Sequence, residues 1–477
     1  MSTSLPDESD RFGYALCGFG PAGCGFLLHA IKTGAIQRLA DQGLVLIDRA
    51  AVPGAGKVGR YRLTGNSLSR AFLDCIDDPD LAWLFGDLRK YDPSVTELRR
   101  MEFEAPPLDL VGRFLTMMAK RAIDHVSSEY GLPTLFETDI EQISREVDGS
   151  YRLSLRQRRH GHRFTIDAGN VLSAFGGRQP AALVRACEMQ PGVRLGAHTD
   201  RIMTSDGFLM MSDEAIRSAI PISSGGLGDV VIVGGSHSAM SAADRLAAAL
   251  APVGLRRITM LHNSPLRLYY ASADAARADG YPFDDPDDIC PMSGRINRFG
   301  GLRYRSFDVA RSILDTGRMP DQPVEVLSVR LDESHIGSQR LVQAYLSDAP
   351  AVITCLGYQS NMPPMVDHQG GAITLCNGPR GLEIDSGGRV MAVGADRVST
   401  EALPGLYAFG LGSELLKRSD AIGGEPSFRG QADGVWLYHN HGGQVVLGAL
   451  LDDMPSAAEA GVFGGRRLSD ARAFDEL

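Results

Sequence analysis

One pattern occurs twice in this chain of 477 residues, and it limits the possible folds more than any other feature. In each copy a short apolar run enters a glycine-rich turn, an apolar-periodic helix follows, and a second apolar run closes the unit. The first copy spans residues 14–48 and the second spans 229–262. A strand, a helix and a second strand in this order are typical of a βαβ unit. Two units so far apart in the chain predict two separate α/β domains rather than two halves of one sheet.

The first glycine-rich turn, Gly18-Phe-Gly-Pro-Ala-Gly23, fits the GxGxxG fingerprint of dinucleotide-binding domains. In that fingerprint Gly18 makes the turn, Gly20 lets the backbone approach a pyrophosphate, and Gly23 lets the helix pack on the strand. The phosphates would lie at the helix N-terminus, where free N–H groups favour an anion. Asp48 ends the next strand, where a carboxylate can accept both hydroxyls of a ribose. The predicted dinucleotide contacts are Gly18, Gly20, Pro21, Ala22, Gly23, Asp48 and Arg49.

The second turn, Gly234-Gly-Ser-His-Ser-Ala239, fits the fingerprint less closely, because Ser236 replaces the middle glycine and narrows the approach for a pyrophosphate. The strand after it carries no acid, which argues against an unphosphorylated ribose. Arg267, just beyond that strand, can meet a 2′-phosphate, so the sequence favours NADPH over NADH. A glycine turn that binds no nucleotide is the alternative. The predicted NADPH contacts are Gly234, Gly235, Ser236, His237, Ser238 and Arg267.

The composition of the chain limits the classes of partner and of bound group that we expect. The net charge of −10 and the pI near 5.6 do not favour nucleic acid or an anionic membrane surface. The seven cysteines contain no Cys-x-x-Cys pair, which argues against a disulfide framework, a zinc ribbon and a redox dithiol, and we expect no bound metal. No run approaches the roughly 18 apolar residues of a membrane helix, and the polar start shows no secretion signal. We therefore expect a cytoplasmic protein.

The order of the motifs resembles that of flavoproteins with two dinucleotide-binding domains, and among them the flavin-dependent N-hydroxylating monooxygenases of the lysine and ornithine hydroxylase type. That family has a GxGPxx segment for FAD, a GGxxSA segment for NADPH, an ATGY-like segment and a GLxxxLLS-like segment. The matching segments here are Gly18–Ala22, Gly234–Ala239, Thr354–Tyr358 and Gly410–Lys417, and Ala174–Gly177 resembles the first ATG-type turn of the wider superfamily.

The resemblance implies an α/β fold with two Rossmann-like dinucleotide-binding domains, in which an FAD domain carries an inserted NADPH domain, as in the glutathione-reductase-like architecture. It adds Gly357, Gly410 and Gly412 to the expected cofactor contacts. We expect the FAD-binding domain at residues 11–215 and 350–451, the NADPH-binding domain at 216–349 and a loosely held tail at 452–477. The domain entry is expected in the glycine-rich segment 223–228.

The activity implied by the resemblance is that of an NADPH-dependent monooxygenase of specialised metabolism. NADPH reduces FAD, molecular oxygen forms a C4a-(hydro)peroxyflavin, and one oxygen atom passes to the nitrogen of an amine or amino acid. Oxygenation of sulfur or of a carbonyl, another NAD(P)H-dependent FAD oxidoreductase, and a flavin-binding protein without turnover are the alternatives. Dimers or tetramers are expected from the family.

The chain departs from the family pattern at the segment that usually lies over the flavin. The usual Met-Gln is absent, and Gly59-Arg-Tyr-Arg-Leu-Thr-Gly-Asn-Ser67 stands in its place. An asparagine here resembles flavin-containing monooxygenases, whose Asn amide hydrogen-bonds near the oxygen-reacting edge, although their Phe-x-Gly-x-x-x-His fingerprint is missing. We predict Asn66 and the adjacent Ser67 as catalytic residues; a Gly-Asn turn with positive φ is the alternative.

Two further residues are predicted to contact substrate. Lys57 lies in the same cationic stretch as Arg60 and Arg62 and can hold a substrate carboxylate or a cofactor phosphate, although such a run is often a solvated loop. Ser413, by resemblance to the polar position of the last family motif, is expected to face flavin or substrate.

Overall fold

The computed structural model describes residues 10–222, 229–331, 336–378, 381–394, 396–414, 423–428 and 441–454. The predicted domain entry at 223–228 lies outside the described residues. The same holds for all but the first three residues of the predicted tail, and for residues 415–417 of the last family motif.

The strands of the described part are β1 (Arg11–Cys17), β2 (Leu44–Ile47), β3 (Thr134–Leu135), β4 (Thr138–Arg145), β5 (Tyr151–Gln157), β6 (Arg163–Ser173), β7 (Gly177–Arg178), β8 (Glu188–Gln190), β9 (Val193–Arg194), β10 (Ile202–Thr204), β11 (Val230–Val233), β12 (Arg257–His262), β13 (Glu325–Arg330), β14 (Val352–Thr354), β15 (Gln359–Ser360), β16 (Met365–Asp367), β17 (Asn377–Gly378), β18 (Gly381–Glu383), β19 (Arg389–Val393), β20 (Thr400–Ala408) and β21 (Ser413–Glu414).

The helices of the described part are α1 (Pro21–Lys32), α2 (Ala35–Asp41), α3 (Ser69–Asp77), α4 (Ala82–Phe85), α5 (Leu88–Tyr91), α6 (Pro93–Arg100), α7 (Leu108–Tyr130), α8 (Ala181–Ala186), α9 (Ser205–Phe208), α10 (Asp213–Ala219), α11 (His237–Leu250), α12 (Ala273–Ala278), α13 (Asp285–Asp288), α14 (Arg305–Thr316), α15 (Ile336–Asp348) and α16 (Gly443–Asp452). In the part of the chain that the structure describes, no helix combines the length and the apolar character needed to cross a bilayer.

The first predicted βαβ unit lies toward one end of the larger sheet, whose main path runs β16-β4-β5-β6-β1-β2-β3. Strand β1 pairs in parallel with β2 on one side and with β6 on the other. Its residues Tyr14–Cys17 are almost fully buried. These residues and those of β2 are continuously apolar and show no alternation of apolar and polar residues. This is expected for parallel strands that are covered on both faces of the sheet. Strand β20 returns the chain to this sheet beside β6.

The second predicted unit lies in a separate five-stranded sheet with the order β10-β14-β11-β12-β13. All of its neighbouring strands pair in parallel. The alanine-rich helix α11 packs on this sheet through a face that includes Ala239, Ala243, Leu246 and Leu250. Small side chains on this face let a helix approach a sheet closely, so the turn before α11 is held firmly against β11 and β12.

The second sheet extends beyond the predicted limits of 216 and 349. Strand β10 lies N-terminal to the first limit and β14 lies C-terminal to the second, yet both pair within this sheet. Residues from 350 onward were predicted to belong to the FAD-binding domain, but β14 pairs with β11 of the second sheet. Strands of three residues carry almost no periodic signal, so they could not be assigned to one sheet or the other from the sequence.

Candidate active site

Two glycines of the first turn are required by the fold itself. Gly18 has a φ of +95°, and a Cβ there would lie 2.4 Å from the carbonyl oxygen of Ala174. A Cβ on Gly23 would lie 2.1 Å from the carbonyl oxygen of Gly18. Contacts this short cannot be relieved, because both partners are backbone atoms. The turn between β1 and α1 is therefore tight for steric reasons, as the fingerprint predicts.

Unlike Gly18 and Gly23, Gly20 is not required for steric reasons within the fold. Its φ is −80°, and a Cβ there would meet only the Cα of Gly56, at an ordinary 3.7 Å. Gly20 is also the N-cap of the twelve-residue α1, and no side chain caps the free N–H groups there. The fold does not need glycine at this position, whereas a ligand that approaches the helix N-terminus does. The turn thus fits a bound pyrophosphate, and FAD is the group that it would hold.

Asp48 stands at the same turn. One of its carboxylate oxygens accepts the backbone N–H of Phe19, and the other accepts that of Ala50 at 2.6 Å. Burial raises the pKa of Asp48, and the two backbone hydrogen bonds oppose that shift. A carboxylate has further lone pairs for ribose hydroxyls. Arg49, in contrast, is largely exposed, and its guanidinium lies 3.5 Å from Asp139.

The second turn is built on the same steric principle. Gly234 has a φ of +128°, and a Cβ there would lie 2.7 Å from the carbonyl oxygen of Cys355. Ser236 is the exposed N-cap of α11 and makes no side-chain cap. The Nε2 atom of His237 is buried and has no hydrogen-bond partner in the described part of the chain. An uncapped helix N-terminus with an unsatisfied polar atom fits a site that receives a further ligand.

Direct contacts join the predicted motif turns to one another. The Lys57 ammonium donates to the carbonyl oxygen of Gly177 at 3.3 Å. A Cβ on Gly177 would meet the Cβ of Tyr358 at 2.7 Å and the side chain of Leu411 at 2.9 Å.

The last family motif meets the segment after Tyr358 as well, because Gly412, with a φ of +89°, packs against the backbone of Gln359. The segments that carry Gly357, Gly410 and Gly412 therefore meet the loop that follows β2, as expected for one cofactor site.

A hydrogen-bonded network that the sequence analysis missed links the two sheets. Asp206 in α9, which follows β10 of the second sheet, accepts from Lys57 at 2.6 Å and from the Tyr61 hydroxyl at 2.5 Å. The hydroxyl of Tyr61 also lies 3.4 Å from that of Tyr358. Burial, reinforced by Tyr358 and by the Asp206 carboxylate, raises the pKa of Tyr61 far above its ordinary value. We name these four residues the Asp206 network.

The structure shows the exposure and the contacts of four residues that were predicted to bind cofactor or substrate or to take part in catalysis. Asn66 is exposed, and it is not among the described non-glycine residues with positive φ, so the alternative of a positive-φ turn was wrong. The ammonium of Lys57 is engaged by Asp206 and is not free in the described structure. Ser413 is buried in β21 beside β18. Arg267 donates to the hydroxyl of Ser427 at 2.8 Å.

Comparison with known proteins agrees with this geometry, although no family model matches the chain. The chain is 31% identical over 460 residues to the CMP-5′-(3-aminopropyl)phosphonate hydroxylase of Streptomyces rubellomurinus, covering 92% of this chain and 98% of that protein. The FAD-bound cadaverine monooxygenase DfoA of Erwinia amylovora is similar in fold, with a TM-score of 0.52 at 12% identity over 98% of this chain and all of that one. The L-lysine 6-monooxygenase of Pseudomonas syringae is also similar in fold, with a TM-score of 0.52 at 13% identity. The match covers 93% of this chain and all of that one.

The two sheets, each with a glycine turn between a strand and a helix, define an α/β protein with two dinucleotide-binding domains. The chain belongs to the family of the CMP-5′-(3-aminopropyl)phosphonate hydroxylase, and it shares the fold of the lysine and cadaverine monooxygenases. It is an oxidoreductase of the hydroxylase type, and structures of the same fold bind FAD and NADP⁺. The fold class and the enzyme class predicted from the sequence are thus confirmed, and the two predicted cofactors, FAD and NADPH, agree with what those structures bind.

The role of Asn66 remains a prediction, and it can be tested by coupling. In the Asn66→Ala variant we expect NADPH to be consumed at a similar rate, with a several-fold larger share of the electrons released as hydrogen peroxide. The reason is that one amide donor worth about 1–3 kcal/mol is lost from a site where oxygen reacts. Peroxide and hydroxylated product are measured per NADPH oxidised. Unchanged coupling would reduce Asn66 to a surface residue.

Proposed function

We propose that this enzyme hydroxylates the terminal amine of an aminoalkylphosphonate that is joined to a nucleotide. The observation that carries the proposal is the similarity to a hydroxylase named for such a substrate, because it extends over 98% of that protein and includes both domains. An amine nitrogen is a soft nucleophile, as the chemistry of this enzyme class requires. The proposed partners are therefore this amine, molecular oxygen and NADPH.

The stoichiometry of the proposed reaction shows which groups the protein has to bind and position. An amine, O₂, NADPH and a proton give a hydroxylamine, NADP⁺ and water, so an N–H becomes N–OH and the second oxygen atom leaves as water. FAD, when bound, supplies the two-electron and oxygen chemistry. The chain supplies the glycine turns that bind the two dinucleotides. It also supplies the Asp206 network, which ties the loop after β2 to the second sheet.

The proposal is tested by comparing substrates. Purified enzyme with FAD and NADPH is given CMP-5′-(3-aminopropyl)phosphonate, free 3-aminopropylphosphonate, L-ornithine, L-lysine and cadaverine, and the products are analysed by mass spectrometry. We expect the nucleotide conjugate to be hydroxylated with the highest kcat/KM and the free phosphonate to react more weakly. Preferred turnover of an amino acid or of cadaverine, or oxygenation at an atom other than the amine nitrogen, would overturn the proposal.

A further inference from the structure

A cavity of about 830 Å³ lies between the loop that follows β2 and two helices of the second domain. Residues 59–65 of that loop form one wall, together with Pro107 and Asp109 at the start of α7. Helices α11 and α14, which pack on the second sheet, form the opposite wall. Small-molecule sites usually have volumes of about 300–1,000 Å³ and often lie between domains. The cavity is therefore large enough for a ligand of nucleotide size.

The cavity is separate from the two glycine turns. Among the described residues that line it, none belongs to Gly18–Gly23 or to Gly234–His237. On α11 the lining face runs from Met240 to Ala248, beyond the N-terminal turn that fits a dinucleotide. Tyr61 lines the cavity and also belongs to the Asp206 network, so the cavity borders the expected cofactor site. It provides room for a third ligand beside the two dinucleotides.

Two arginines of the loop supply positive charge that no nearby acid neutralises. Arg60 and Arg62 both line the cavity and are exposed, and within the described part of the chain neither has an ion pair within 4.0 Å. Glu214 lies within electrostatic range of Arg62 but beyond that distance. An anion that enters the cavity therefore meets available guanidinium groups at the loop.

The other charged residues that line the cavity do not change this balance, because each has an oppositely charged partner. The pairs are Asp109 with Arg113 at 2.9 Å, Arg245 with Asp213 at 2.6 Å, and Asp244 with Arg305 at 2.5 Å. The acids of the lining are thus already engaged by cations. The positive charge that remains for a ligand is that of the loop.

The wall that carries the two arginines is held in place on both sides. The backbone N–H of Arg62 donates to the carbonyl oxygen of Leu209, after α9 of the second domain, at 3.0 Å. The N–H of Gly65 donates to the carbonyl oxygen of Pro106, before α7 of the first domain, at 2.8 Å. Because the backbone is fixed before a ligand arrives, binding costs less ordering of the loop.

We infer that this cavity binds the nucleotide half of the substrate, with Arg60 and Arg62 at its phosphoryl and phosphonyl groups. The inference rests on the proposed function, because it assigns part of that same substrate. A guanidinium fork suits two oxygens of one phosphorus centre. The hydroxyls of Thr64 and Ser241 also line the cavity, where they are available to the ribose or the base. A phosphate group of NADPH has similar chemistry, so the test has to separate the two sources.

The first test fills the cavity with a side chain. Ala248 is an exposed residue of the lining, so Ala248→Phe occupies the space without disturbing the core. Equilibrium binding of CMP, and of CMP-5′-(3-aminopropyl)phosphonate, to the FAD-loaded enzyme is measured with saturating NADP⁺. We expect both ligands to bind more than about tenfold more weakly, because the ring overlaps the nucleotide. Ala275→Phe, at an exposed position of α12 outside the cavity, is the matched control with unchanged binding.

The second test removes charge from the loop. We expect Arg62→Gln to weaken binding of the conjugate about 5- to 20-fold, because charge-assisted hydrogen bonds to the anion are lost at an exposed position. Arg62→Lys should recover part of the affinity, since the charge stays but the fork is lost. Arg100→Gln removes an exposed arginine at the end of α6, outside the cavity, and should bind the conjugate as the wild type does.

Binding is measured rather than turnover, so failure of the proposed function can be recognised by itself. If another amine is the preferred substrate but CMP still binds, and Ala248→Phe removes that binding, the nucleotide site stands and the substrate assignment falls. Equal binding of CMP by wild type and Ala248→Phe overturns the site, as does a wild-type enzyme that binds neither CMP nor the conjugate. A loss confined to NADP⁺ affinity, measured for the same variants without the conjugate, assigns the cavity to the nicotinamide cofactor and also overturns the inference.

Discussion

Replacing Gly20 with valine will yield a folded protein that has lost most of its FAD. The structure leaves room for a side chain at this position, because a Cβ would meet only Gly56 at 3.7 Å and the φ of −80° suits any residue. A bound pyrophosphate would occupy the same space at the helix N-terminus. An overlap that costs more than about 1.4 kcal/mol weakens FAD binding more than tenfold. Flavin absorbance per mole of purified protein measures the loss.

Two further variants show whether the loss of FAD in Gly20→Val comes from the blocked binding site or from a general effect on folding. Gly448→Val places the same side chain at an exposed position in α16 with no atom within 4 Å of its Cβ, and this protein should keep its FAD. Gly23→Ala should fail to fold, because its Cβ would lie 2.1 Å from the carbonyl oxygen of Gly18. A Gly20→Val protein as yellow as the wild type would contradict the assignment of the first turn.

Replacing Asp206 with alanine should slow the reduction of bound FAD by NADPH about 10- to 100-fold while the flavin content stays unchanged. The carboxylate accepts charge-assisted hydrogen bonds from Lys57 at 2.6 Å and Tyr61 at 2.5 Å, across the boundary between the two sheets. Each such bond contributes about 1.5–3 kcal/mol, and hydride transfer depends steeply on the relative position of the two rings. The rate is measured by anaerobic rapid mixing.

The control for this variant is Asp200→Ala. Asp200 lies on the same domain but is largely exposed, and the Arg201 beside it is 3.8 Å away. We expect this change to leave the reduction rate within about twofold, since exposed ion pairs contribute little. If Asp206→Ala is reduced as fast as the wild type, the network does not position the two domains for hydride transfer.

The parts of the site that could be predicted are those that depend on local backbone geometry. Gly23 is fixed by its contact with Gly18 within a single βαβ unit, and Asp48 at the end of β2 is held there by the backbone N–H of Phe19. Gly18 has a positive φ in the same turn, although the atom that excludes a side chain there is the carbonyl oxygen of Ala174. Such units have a sequence signature because strand, turn and helix follow one another directly. The second turn at Gly234 could be recognised for the same reason, even with Ser236 in the middle position.

The missed parts depend on contacts between distant segments. Asp206 follows a three-residue strand, and nothing in its neighbourhood signals that Lys57 and Tyr61 lie opposite it. Lys57 was predicted to hold a substrate carboxylate or a cofactor phosphate, but its charge alone could not reveal that the Asp206 carboxylate already engages it.

The measurement that tests the central claim most directly is the incorporation of isotopically labelled oxygen gas. FAD-loaded enzyme, NADPH and CMP-5′-(3-aminopropyl)phosphonate are incubated under labelled O₂, and the product is examined by mass spectrometry. An NADPH-dependent flavoprotein N-monooxygenase places one labelled oxygen atom on the amine nitrogen, and only when NADPH is present. Consumption of NADPH with no labelled oxygen in any product would contradict the account, as would oxygen on the product that derives from water.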